Sequence, residues 1–190
     1  MTAARVRTAV LLLLALAGLT ALSACGNRKE TITRAETEGP YLDVGELQYQ
    51  VQVSRQLNPE DVEDREYLVG LAPEEAQLEP DETWFAIFIR VQNETDEPQP
   101  ASKQFEIEDT LGTVYEPVPI RSTNPFAYRT GMVEPGATLP PQNSPAHDGP
   151  IGGSLVLFKM PLASLANRPL ELKIKSPLAP QTEGVVDLDV

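Results

Sequence analysis

Residues 84–91 read Trp-Phe-Ala-Ile-Phe-Ile-Arg-Val and stop at Asn93-Glu94-Thr95-Asp96-Glu97-Pro98. Side chains alternate between the two faces of a strand, so a run that is apolar on both faces needs an apolar layer on each side. Such a strand belongs in the middle of a sandwich. Upstream, Leu47, Tyr49, Val51 and Val53 alternate with Gln48, Gln50 and Gln52, the period of a half-buried strand and the expected first strand of the domain. Downstream, Phe105 and Ile107 share a face, and Asp109-Thr110-Leu111-Gly112 places Asp and Gly where a type I turn takes them. Val114 and Tyr115 then start the returning strand of a hairpin.

Gly152-Gly153 opens an apolar strand from Ser154 to Met160 that Pro161 closes. One helical turn is expected from Leu162 to Asn167, followed by Leu170, Leu172 and Ile174 alternating with Glu171, Lys173 and Lys175. Val185, Val186, Leu188 and Val190 supply a short last strand or a frayed end. The fold class this predicts is all-β, an antiparallel sandwich over residues 41–190.

The connecting segments differ in chemistry. Asn58 to Glu82 is acidic apart from the island Tyr67-Leu68-Val69-Gly70-Leu71, which is positioned to dock on the domain while its flanks stay solvated. Hard cations take several carboxylate oxygens, but the regular ligand spacing and central glycine of known calcium loops are absent, so no metal site is expected. Glu116 to Pro150 holds eight prolines and reads as turns, edge strand and surface loop. Asn93-Glu94-Thr95 fits a glycosylation sequon, although a turn is the expected role.

Several of these stretches resemble a known family. They are Val91 to Glu94, Phe-x-Ile-x-Asp at Phe105 to Asp109, Gly112, Tyr115, Glu134-Pro135-Gly136, the run from Gly153 to Pro161, and Pro169 to Leu172. Together, over roughly Tyr49 to Ser176, they resemble the immunoglobulin-like domain of unknown function found in many secreted Gram-positive lipoproteins, a group similar to a mycobacterial immunogenic secreted antigen. The resemblance implies an immunoglobulin-like β-sandwich outside the cytoplasm and brings no catalytic residues with it.

The first residues agree with that location. Arg5 and Arg7 precede a Leu/Ala-rich stretch from Ala9 to Leu22, about 14 residues and short of the roughly 20 a membrane-spanning helix needs. Leu22-Ser23-Ala24-Cys25 resembles the bacterial lipobox, so residues 1–24 are expected to be a lipoprotein signal peptide and Cys25 the lipidated residue. Cys25 is the sole cysteine of the chain and has no intramolecular disulfide partner. Two acyl chains on it would anchor the protein stably, where one gives only marginal binding. Residues 25–40, polar and poor in large apolar side chains, are expected to be a flexible tether.

Charge and composition narrow the function. Removing residues 1–24 takes away two cations and no acids, lowering the formal charge from −13 to about −15. Such a chain is repelled by phosphate backbones, so nucleic acid is not an expected partner. His147 beside Asp148, with Ser144 and Ser154 nearby, lacks a nucleophile elbow, so neither catalytic residues nor a cofactor are expected. The function expected is a membrane-anchored lipoprotein, facing outside the cytoplasm, whose domain binds a protein or envelope component or acts as a structural accessory. The proline-rich loop is its candidate surface, and a small-ligand or cation-binding lipoprotein is the alternative.

Overall fold

The computed structural model describes residues 31–188. Its strands are β1 (Arg34–Ala35), β2 (Tyr41–Val44), β3 (Leu47–Leu57), β4 (Glu82–Gln92), β5 (Gln99–Pro100), β6 (Gln104–Glu108), β7 (Val114–Tyr115), β8 (Met132–Val133), β9 (Thr138–Leu139), β10 (Ser154–Pro161), β11 (Leu170–Lys175) and β12 (Glu183–Leu188). One sheet runs β10-β4-β3-β2 with β9 also on β4, the other β1-β12-β11-β6-β7, and β5 pairs with β8 alone. Apart from the parallel β1–β12 pair, the ladders joining these strands are antiparallel. Taking β3, β4, β6, β7, β10, β11 and β12 as A, B, C, C′, E, F and G gives A-B-E facing G-F-C-C′, the immunoglobulin arrangement.

β4 explains the fold. Phe85, Ile87, Ile89 and Val91 point into the core between the sheets with Phe105, Ile107, Phe158 and Leu172. Trp84, Ala86 and Phe88 point the other way, into a second core with Leu57, Leu155 and Leu157. That second core is roofed by Tyr67, Leu68 and Leu71 of the apolar island and by Val118, Ile120 and Phe126 of the proline-rich loop. Each large side chain fully withdrawn from water contributes about 1.5–3 kcal/mol, so both layers bear on stability. The outer face of the other sheet is instead a solvated charge ladder, where Lys173 pairs with Glu108 and Lys175 with Glu106.

Three expectations need correction. Val53 does not share the face of Leu47, Tyr49 and Val51: a bulge at Gln52 shifts the register between Val51 and Val53 and turns Val53 toward the second core. β3 is not the first strand, since β1 and β2 precede it. The tether expected over residues 25–40 is held to the domain from Ile32 onward. Ile32 exchanges hydrogen bonds with Asp43, Ala35 is buried beside β12, and the Glu38 carboxylate accepts from the Ser54 N–H (3.0 Å) and hydroxyl. Hydrogen bonds to strand edges, together with Arg34 on Glu171 (2.6 Å) and Asp187 (2.9 Å), hold a segment whose side chains bury little. Residues 25–30, with Cys25, lie outside the described residues.

Candidate functional site

The residues singled out for chemistry have structural partners. The Arg90 guanidinium can only donate, so His147 Nε2 accepts from it (3.1 Å) and the imidazole proton sits on Nδ1, 2.7 Å from Asp148. Ser144 caps the short helix Pro145–Asp148, accepting from the His147 backbone N–H while its hydroxyl donates to the Pro141 carbonyl (2.6 Å). Ser154 is buried in β10 opposite Ile89. In the acidic run, Asp61 caps helix Val62–Tyr67, and buried Asp64 accepts from Arg55 (2.5 Å) and the Asn58 N–H (2.8 Å). Among the described residues no cluster of three or more His, Cys, Asp or Glu is placed to hold a metal. Asn93 of the sequon is buried, with its amide donated to the Glu97 and Val133 carbonyls, so it organises a turn.

The proline-rich loop, by contrast, builds a cleft. It lies at the open edge of the sandwich, with a volume of about 180 Å³, between the loop segments 117–120 and 127–130, β10 at Leu155–Leu157, and Lys103 and Phe105. The loop is fastened from within. Buried Asn124 donates to the carbonyls of Tyr67 and Val69 (both 2.8 Å) and accepts from the Phe126 N–H (2.8 Å). The N–H groups of Val118 and Tyr128 donate to the carbonyls of Leu157 and Leu155, and the Leu155 N–H to that of Phe126, each at 2.8 Å. These bonds occupy the free edge of β10, which would otherwise present unpaired backbone groups.

The mouth of the cleft is cationic. The Arg129 guanidinium spans the carbonyls of Ile120 (3.0 Å), Arg121 (2.6 Å) and Asn124 (3.2 Å), which hold it without neutralising it. Lys103 is exposed and follows Ser102, which is fully buried. The Ser102 N–H donates to the Tyr49 hydroxyl (2.6 Å), its carbonyl accepts from the Tyr128 hydroxyl (2.9 Å), and its own hydroxyl donates to the Lys175 carbonyl (2.6 Å). Burial pushes the Tyr49 phenol upward and the Tyr128 phenol well above the usual range, aided at Tyr128 by its Tyr49 neighbour, so both stay protonated, Tyr49 accepting from the Ser102 N–H and Tyr128 donating to the Ser102 carbonyl. Tyr128 also packs edge-on against Phe105, with centroids 5.0 Å apart. Lys103 therefore projects from a fixed backbone.

Sequence reasoning identified the loop but not Lys103, Arg129, Phe105 and Tyr128. A signal existed: residues 98–105 and 117–133 carry Lys103, Arg121 and Arg129 without one acid, in a chain with 28 Asp and Glu.

Fold and site together define an antiparallel β-sandwich of immunoglobulin-like order with a cleft at one edge. No protein-family model and no curated protein matches the chain. Among solved structures it is similar to the yjhA protein from Bacillus subtilis at 12% identity, covering 82% of this chain and 100% of that one with a TM-score of 0.52. It is also similar to a functionally unknown protein from Listeria monocytogenes EGD-e (10% identity, 82% and 84% coverage, TM-score 0.48). An uncharacterised beta-sandwich protein from Clostridium difficile 630 matches at 12% identity, 86% and 99% coverage, and a TM-score of 0.46. At such identities the likeness concerns the fold alone.

Proposed function

We propose that this protein is a lipid-anchored extracytoplasmic binding module, tethered through Cys25, whose domain captures a protein or envelope component at the cleft beside Lys103. The single observation carrying the binding part of this reading is that cleft: an apolar recess with two cations and no carboxylate in its lining, on a chain of formal charge −13. Concave apolar sites with a few placed polar groups are where ligands settle. The anchoring part rests on the lipobox-like Leu22 to Cys25 and on the apolar stretch before it. The finer kinship, to secreted lipoproteins carrying an immunoglobulin-like domain, belongs to the same proposal.

Site-specific photocrosslinking on intact cells tests it. A photoreactive residue at Thr130, exposed on the cleft rim, is expected to give a discrete adduct, and one at Val62, exposed on the acidic helix, is expected to give none. Equal adducts from both positions, or none from Thr130, would overturn the assignment of the cleft.

A further inference from the structure

We infer that the cleft takes a carboxylate carrying one compact apolar group, about the size of an aromatic ring, with the carboxylate on Lys103 and the apolar group against Phe105, Tyr128 and Leu157. This rests on the reading that the cleft is the binding site, and it names the chemistry of what enters. Size sets the apolar part. A volume of 180 Å³ is well below the roughly 300–1,000 Å³ of sites for drug-sized ligands and close to the ~150 Å³ of an engineered apolar cavity that holds benzene. One ring or one branched chain fits, and a long acyl chain does not.

Charge sets the other part. Among the described residues neither Lys103 nor Arg129 forms an ion pair. Arg129 donates through Nη1 and Nη2 to backbone carbonyls, so these groups contribute field more than contact. Lys103 has three free donors on an ammonium group and is the group able to meet an anion directly. On a chain of net negative charge the cationic mouth favours an anionic ligand and places it. Lys103 also borders a neighbouring groove of about 430 Å³ formed with Lys175, Ser176 and Gln181, which leaves the anion's side of the site open to a longer molecule. The same chemistry arises from a free organic acid or from the C-terminal residue of a peptide.

The test uses the full-length protein in neutral-detergent micelles, titrated with N-acetylphenylalanine, its amide, and a pentapeptide ending in phenylalanine with a free C-terminus. The readout is the backbone amide resonances of Phe105, Tyr128 and Leu157. The expected result is saturable shifts with the free acid, binding at least about tenfold weaker for the amide and for Lys103→Glu, and affinity retained in Lys103→Arg. Binding of the acid and the peptide together assigns a C-terminal ligand, and of the acid alone a small organic acid; either supports the inference. No saturable shift with either acid, or equal binding of the amide, overturns it. Failure here alongside a Thr130-specific adduct on cells removes the carboxylate and leaves the binding module standing, whereas loss of both removes the site.

Discussion

Asn93 and Asp109 each end a strand by giving backbone groups a side-chain partner. With its amide bonded to Glu97 and Val133 and its carbonyl oxygen to the Thr95 N–H (2.8 Å), Asn93 satisfies polar groups that the buried turn cannot leave bare. Asn93→Ala is expected to lower stability by about 1–3 kcal/mol, measured by urea unfolding, because two carbonyls lose their donors. Asp109 accepts from the N–H groups of Leu111 and Thr113 (both 2.9 Å) and from the Asn167 amide (3.0 Å), closing the β6–β7 hairpin. Burial acts to raise its pKa, but these donors outweigh it and hold the carboxyl below its ordinary value of 3.8. A depressed folded-state pKa stabilises the protein above the unfolded value and ceases to do so as pH falls through the folded one. Asp109→Asn should therefore flatten the fall in urea midpoint below about pH 4 relative to the unmodified protein, and an unchanged acid limb would remove Asp109 from that role.

The strands obey period two only as far as their partners permit. β3 keeps Leu47, Tyr49 and Val51 in the inner core, then spends one residue on the bulge so that Val53 and Leu57 serve the outer one. Deleting Gln52 would leave Val51 opposite Ile89 and Val53 opposite Phe88 in a regular ladder, so the distal half of β3 keeps its face, and retention of a single cooperative unfolding transition is the expected outcome. The proline-rich loop is a roof rather than a flexible insertion. Phe126→Ala should cost about 2 kcal/mol in thermal or urea unfolding, since Phe126 packs edge-on against Tyr67 at 4.9 Å over Phe88. On β12, a Cβ at Gly184 would stand 2.5 Å from Val44 Cγ2, so Gly184→Val is expected to destabilise by about 1–3 kcal/mol through overpacking. The Tyr49–Ser102–Tyr128 knot likewise joins three segments far apart in sequence, and no local pattern advertises it.

At the scale of the described domain, residues 31–188, two apolar layers lie on either side of one sheet, with charge on the outside and a cationic recess at one edge. On the proposed anchoring, Cys25→Ser should move the protein from the membrane to the soluble fraction and abolish incorporation of an alkyne-labelled fatty acid; persistence of either would sink the lipid anchor. The sequence by itself determined the all-β class, the hairpin at Asp109 to Gly112 and the two-sided burial of residues 84–91. Alternation, turn residues and apolar runs are local consequences of backbone geometry and need no partner to be read. Only the tertiary structure decided the bulge in β3, the attachment of residues 32–39 and the cleft. Register depends on the partner strand, an edge segment is held by hydrogen bonds to backbone distant in sequence, and Lys103, Tyr128 and Leu157 share a recess because the packing of the two sheets brings them together.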